Sequence, residues 1–155
     1  MKRYLQLFLL TLTTGLVLVG CEPDPVTLDP APSKLDGIND TFSLVEVKQV
    51  DNNGIGLTEL DVSGLFIGTT PAVIAFNSAN GTWSYNTGSS LDFLGGSGSW
   101  AFDNDEYPTK IAMNNGTDNY DLTLVRTIRP AEQFLEVELT RPCGATGYRY
   151  KFARN

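Results

Sequence analysis

The sequence predicts an all-β fold: about eight antiparallel strands, connected up and down and closed into one barrel. Three observations carry this. Short runs rich in aromatic and β-branched residues recur along the chain, punctuated by Asn, Gly, Pro and Asp. Register matching of neighbouring runs places their apolar residues on one continuous face. No stretch of helix length has a convincing helical period to cover that face; the best candidate is a short piece around Leu57–Val62. A barrel hides such a face and removes the sheet edges. A two-sheet sandwich is the alternative.

The first segment, residues 1–20, has the plan of an export signal. Lys2 and Arg3 form a basic start, Tyr4 to Val19 is uncharged and mostly apolar, and small Gly20 precedes Cys21. The uncharged run is diluted by Gln6 and several threonines, and is short of the roughly 20 apolar residues of a spanning helix. Leu18-Val19-Gly20-Cys21 resembles the bacterial lipobox. That resemblance implies cleavage before Cys21 and acylation of this cysteine, and so a lipid-anchored protein of the cell envelope. Glu22 after the cysteine is compatible with delivery to the outer membrane. Residues 21–36 follow as a proline-rich tether, EPDPVTLDPAPSK, with no apolar period. The folded domain is expected over 37–155.

Loss of Lys2 and Arg3 with the leader leaves nine basic residues against 18 acidic ones, a net charge of 9 − 18 = −9. A chain so acidic is a poor nucleic-acid binder, because phosphate needs cations. Anionic headgroups repel it too, so lipid must hold it at a membrane. With Cys21 acylated, Cys143 has no intrachain partner, and no activating histidine exists to make it reactive.

The expected strands are Ser43–Val50, Ala72–Asn77, Thr82–Asn86, Ser99–Asp103, Thr109–Met113, Asn119–Arg126, Gln133–Thr140 and Tyr148–Ala153. Centring the last hairpin between Cys143 and Gly144 sets Leu139, Val137 and Leu135 opposite Tyr148, Tyr150 and Phe152. It also sets Glu138 opposite Arg149 and Glu136 opposite Lys151. The turn at Ala79-Asn80 pairs Phe76 with Trp83 and Ile74 with Tyr85. The turn DNDEYP pairs Phe102 with Ile111 and Trp100 with Met113. Asn115-Gly116 as a two-residue turn pairs Ile111 with Tyr120. Arg129-Pro130 pairs Leu122 with Val137 and Leu124 with Leu135. Two long connections remain, Asp51–Pro71 and Asn86–Gly98. The second carries Leu91, Phe93 and Leu94 among glycines and serines, to plug one end of the barrel or to form a lid.

The stretches GINDTFSLVEV, NGTWSY, GSGSWAFDNDEYPTKI and the late YRYKFAR resemble the lipocalin-like domains of Gram-negative bacterial lipoproteins. The similarity runs over about Gly37–Phe152. Such domains often carry a tryptophan after a glycine in the first strand; Phe42 takes that position here, preceded by Asp40-Thr41. The resemblance implies a barrel with an interior cavity or groove. It supplies no catalytic residues.

The residues themselves argue against an enzyme. Without histidine, neither a Ser-His-Asp nor a Cys-His arrangement can be built. Gly95–Ser99 (GGSGS) lacks the spacing of a nucleophile elbow and reads as flexible loop. Asp103–Glu106 and Asp51–Gly54 are oxygen-rich but lack EF-hand spacing, and read as turns bonding their own backbone. Glu136 and Glu138 fall on the outer face as ion-pair partners. No metal or cofactor is expected. The remaining candidate is a ligand platform on the inner face, formed by Trp83, Tyr85, Trp100, Phe102, Tyr120 and Phe93. It would suit a small hydrophobic or glycan ligand. If the barrel is filled instead, its loops would serve a protein partner in an envelope assembly. Cys21→Ser should abolish incorporation of labelled palmitate and partitioning with membranes; retention of both would overturn the lipid anchor.

Overall fold

The computed structural model describes residues 33–52, 57–140 and 146–155. Cys21, the leader, most of the tether and Cys143 lie outside them. The element order is α1 (Lys34–Ile38), β1 (Thr41–Asn52), β2 (Leu57–Asp61), α2 (Ser63–Phe66), β3 (Val73–Asn77) and β4 (Thr82–Asn86). It continues with β5 (Ser97–Phe102), β6 (Lys110–Asn114), β7 (Asn119–Leu124), β8 (Phe134–Thr140) and β9 (Thr146–Arg154). Each strand pairs antiparallel with its neighbours, and β1 pairs with β9. That contact closes eight strands into a barrel, so the sandwich alternative is wrong.

Closure depends on how β1 spends its two edges. Nearly the whole strand, Phe42 to Asp51, lies along β9. The other edge is divided: Thr41–Ser43 pairs with β3, and Lys48–Asn52 pairs with β2. Along β9 the register shifts between Leu44 and Glu46. Val45 is thus an extra residue, left exposed, and the alternation is rephased. Phe42 and Leu44 face inward before it, and Val47 after it. Without the bulge, Glu46 and Lys48 would enter the core.

β2 corrects the expected helical piece at Leu57–Val62. The local pattern is ambiguous, and the free half of the β1 edge supplies backbone partners that make it a strand; the helical turn falls later, at Ser63–Phe66. GGSGS is corrected as well. Gly95 and Gly96 stay in the loop, but Ser97–Ser99 is strand. A Cβ at Gly98 would come 1.8 Å from the Asn114 carbonyl oxygen, so the glycine permits close approach of β6.

Three of the five predicted registers are as expected: β3–β4, β5–β6 and β8–β9. Two are displaced by two residues. Ile111 faces Leu122 rather than Tyr120, because Asn115–Asp118 forms a four-residue turn in which Asn115 Oδ1 accepts from Thr117 N and Asp118 N. Leu124 faces Val137, and neither Leu122 with Val137 nor Leu124 with Leu135 is paired. There the connection is no tight turn; it sends Ile128 into the core. A two-residue slip preserves the inward face, so the apolar face stands: its residues form one cluster, with Tyr120, Leu124, Leu139 and Tyr148 packed at the margin.

One end is sealed by α1. Ser33 caps the helix by accepting from Leu35 N at 3.1 Å, and Ile38 is fully buried. Gly37 sits against Ile128 and Arg129, where a Cβ would clash at 2.7 Å. Arg154, on the inner face of β9, lies over the Phe42 ring at 5.0 Å. Its guanidinium donates to Asp40 Oδ2 (2.6 Å), Gly37 O (2.6 Å) and Glu132 O (3.1 Å). Thr41 N–H, and after it Arg154, hold the Asp40 carboxyl below its ordinary pKa. Arg154→Ala leaves two carbonyls and a carboxylate short of a donor. It should cost about 1–3 kcal/mol in chemical denaturation, since Asp40 is partly open to water; a loss under about 0.5 kcal/mol, typical of an ordinary surface change, would refute the clamp.

Candidate functional site

The opposite end is built from loops. The connection after β2 and the one after β4 both reach it and are joined across a short seam. Leu91 N donates to Phe66 O (2.9 Å), and Ser89 N to Thr70 O (3.0 Å). Ser90 Oγ accepts from Gly68 N (3.2 Å) and Ala72 N (3.1 Å), and Ser89 Oγ from Thr70 N (2.8 Å). The backbones approach so closely that Gly68 and Gly88 have no space for a side chain. A Cβ would meet Ser89 O at 2.2 Å and Thr70 O at 2.4 Å.

Beneath the seam is an aromatic group. Phe93 stacks on Tyr150 with ring centroids 4.0 Å apart and planes 11° apart. Tyr85 meets Phe93 edge-on at 5.1 Å, and Phe66 flanks Tyr148 at 5.2 Å and Tyr150 at 6.3 Å. Leu94 is buried beside them, while Leu65 and Leu91 stand exposed at the rim. Tyr85 Oη donates to Leu91 O at 3.4 Å. Burial, then the charge of Asp92, pushes the Tyr85 phenol well above its ordinary pKa, so it remains a neutral donor.

The six residues expected to form a platform all lie in or against one core cluster, but their ring contacts fall into different groups. Tyr85 and Phe93 meet at the loop-covered end. Tyr120 is half-buried nearby: its hydroxyl accepts from Asn115 Nδ2 at 3.2 Å, and the same amide bonds Gly95 O at 3.0 Å. Trp83, Trp100 and Phe102 belong to the core cluster. Trp100 packs edge-on against Phe76 (5.5 Å) and Phe102 (5.1 Å), and Trp83 Nε1 donates to Asn114 O at 3.3 Å. Trp100 Nε1 is buried without a hydrogen-bond partner among the described residues. Phe66 and Tyr150 were not singled out as site residues by sequence reasoning. Tyr150 carried a signal, its inward register; Phe66 carried none.

On the outer wall the predicted pairs of Glu136 and Glu138 with Lys151 and Arg149 extend into a network over β2, β1, β9 and β8. Lys48 lies 3.2 Å from both Glu46 and Glu59, Arg149 bonds Glu59 and lies 3.4 Å from Glu138, and Lys151 bridges Glu46 (3.8 Å) and Glu136 (3.9 Å). Arg126 reaches Glu136 at 3.3 Å. The groove between these side chains measures about 220 Å³, but every cation in it already has a carboxylate. It offers no uncompensated charge to a ligand.

The acidic stretch Asp103–Glu106 works as a turn. Asp103 accepts from Thr109 Oγ1, Thr109 N and Lys110 N, which lowers its pKa to about 2, with the Thr109 hydroxyl as the largest cause. Asn104 accepts from Glu106 N and Tyr107 N. The other expected turn, Asp51–Gly54, is corrected over its described residues: Asp51 and Asn52 belong to strand β1, with Asp51 accepting from Gln49 Nε2, and Asn53 and Gly54 lie outside the described residues.

No protein-family model, curated protein or solved structure matches the chain.

The seam's strength should rest on Ser90. Its hydroxyl serves two amides in a partly buried setting, so Ser90→Ala should cost about 1–3 kcal/mol and raise hydrogen exchange at Gly68 and Ala72. Ser89→Ala, at an exposed site where water can substitute, should cost less. Equal effects would refute this ranking.

Proposed function

We propose that this chain is a lipid-anchored, non-catalytic binding protein of the bacterial cell envelope, held by acylated Cys21 and delivered to the outer membrane. It belongs with the lipocalin-like domains of bacterial lipoproteins and takes a small apolar or carbohydrate-like ligand at the mouth of its barrel. Its partners are the membrane, through the lipid, and that ligand. Nucleic acid is not among them.

The observation that carries this reading is the difference between the two ends. One is sealed by α1 and the Arg154 clamp. The other has aromatic walls under loops joined through serine hydroxyls and backbone. Ligand sites of this kind combine apolar walls with a few polar groups, here the Tyr85 and Tyr120 hydroxyls. The mouth, rather than the deep interior, is therefore where the ligand sits. A second reading, an accessory subunit of an envelope assembly with a filled barrel, is favoured by the mutual packing of Phe76, Trp100 and Phe102.

Residues 22–155 titrated with fatty acids, apolar dyes and oligosaccharides should show a saturable rise in Tm for at least one class. The response should survive Trp100→Phe and fall several-fold in Tyr150→Leu. Silence across the whole panel would overturn the ligand reading and favour the assembly one.

A further inference from the structure

Phe93 holds an unusual place in the inner cluster. Its neighbours Tyr85, Tyr150 and Phe152 project from strands, but Phe93 projects from the loop between β4 and β5. It lies flat on one tyrosine with its flank against another, the arrangement that two aromatic rings prefer when they meet. The seat would exist without it, because strand residues alone make its walls.

The segment bearing Phe93 is held by few hydrogen bonds, and its Leu94, buried in the core cluster, leaves the core together with Phe93 when the segment opens. Upstream, Ser89 and Ser90 are pinned to the neighbouring connection. Downstream, Gly95 and Gly96 have φ of 63° and 98°, and a Cβ at Gly96 would meet nothing within 4 Å. Such conformations are open to glycine at little cost, so this pair can serve as a swivel. Asp92 Oδ1 accepts from Leu94 N (3.3 Å) and Gly95 N (2.8 Å), bonds internal to the segment that move with it. It is tied outward by Leu91 N to Phe66 O, by Tyr85 Oη to Leu91 O at 3.4 Å, by Asn115 Nδ2 to Gly95 O, and at the hinge itself by Tyr85 N to Gly96 O at 2.8 Å, a bond that stays in place when the segment turns about Gly95.

We propose that Leu91–Gly96 is a flap and Phe93 a tethered occupant of a ring-binding seat, displaced when a small neutral aromatic ligand enters between Tyr85 and Tyr150. The inference rests on the ligand-binding reading above and names the ligand class. Stacking on Tyr150 and the edge of Tyr85 select a planar ring. Flap opening frees the Tyr85 hydroxyl from Leu91 O and gives the ligand a hydrogen-bond donor, so a ring bearing an acceptor is preferred. The Asp92 carboxylate on the flap disfavours an anion.

The test uses phenol as the probe and the whole mature chain in lipid nanodiscs. Phe93→Ala removes the tethered competitor and should bind phenol on the order of tenfold more tightly than the wild type, the factor expected if the flap is open about a tenth of the time. In the wild type, saturating phenol should raise hydrogen exchange at Leu94 and Gly95 several-fold. Phe93→Leu, which keeps more of the packing, replaces Phe93→Ala if the latter does not fold. Equal phenol affinity in the wild type and the variant overturns the seat. Tighter binding by the variant without increased exchange in the wild type overturns the flap and makes Phe93 a fixed plug. If another compound binds the wild type and Phe93→Ala leaves its affinity unchanged, the ligand-binding reading stands and this seat falls.

Discussion

The barrel depends on one strand serving three partners. β1 gives one edge to β9 and divides the other between β3 and β2. A strand has only two rows of backbone donors and acceptors, so this division must change over at a defined height. The Val45 bulge lies close to that change. It rephases β1 so that Phe42 and Leu44 face the core below it and Val47 above it, while Glu46 and Lys48 turn outward. The inner cluster and the outer ion-pair network are two consequences of this one extra residue.

The outer network illustrates why counting ion pairs is a poor measure of stability. Four carboxylates and four cations alternate across four strands, and most of the side chains remain a fifth to a third exposed. Pairs of this kind contribute little each. Their value lies in specificity. A one-residue slip of β8 on β9 would break Glu136–Lys151 and Glu138–Arg149 and carry Leu135 and Val137 out of the core, while Tyr150 stays inward on β9. The charges and the apolar residues favour the same register, and that agreement keeps the two longest late strands in place.

The two ends of the barrel are closed by different physics. At the α1 end, a guanidinium fastens two carbonyls and a carboxylate over an aromatic ring, with the Arg154 side chain largely buried and that of Asp40 about a third exposed. At the other end, serine hydroxyls and loop backbone form the seam, and aromatic stacking fills the space below it. Loops closed in this way open at lower free energy than strands paired on both edges.

The sequence by itself determined the eight barrel strands, the inward residues of β3 to β9 and the absence of imidazole chemistry. Alternation is a local property, and it survives even where a register is wrong by two, as for Ile111 and Leu124. Turn lengths were less legible, because Asn115-Gly116 suits a two-residue turn and also the four-residue turn that forms. Of the candidate site, Tyr85, Phe93 and Tyr120 could be named in advance. Their grouping apart from Trp100 and Phe102 could not, since the strand residues share one face and differ only in height along the barrel, and Phe93 stands on a loop whose course no local pattern reveals. The tertiary structure alone decided closure over a sandwich, the β2 edge pairing, the meeting of two long connections at one end, and the seating of Phe93 on Tyr150. Each joins residues far apart in the chain, as Asp40 and Arg154 are across 114 positions. Neither residue carries any local mark of the other; only the closed sheet brings them together.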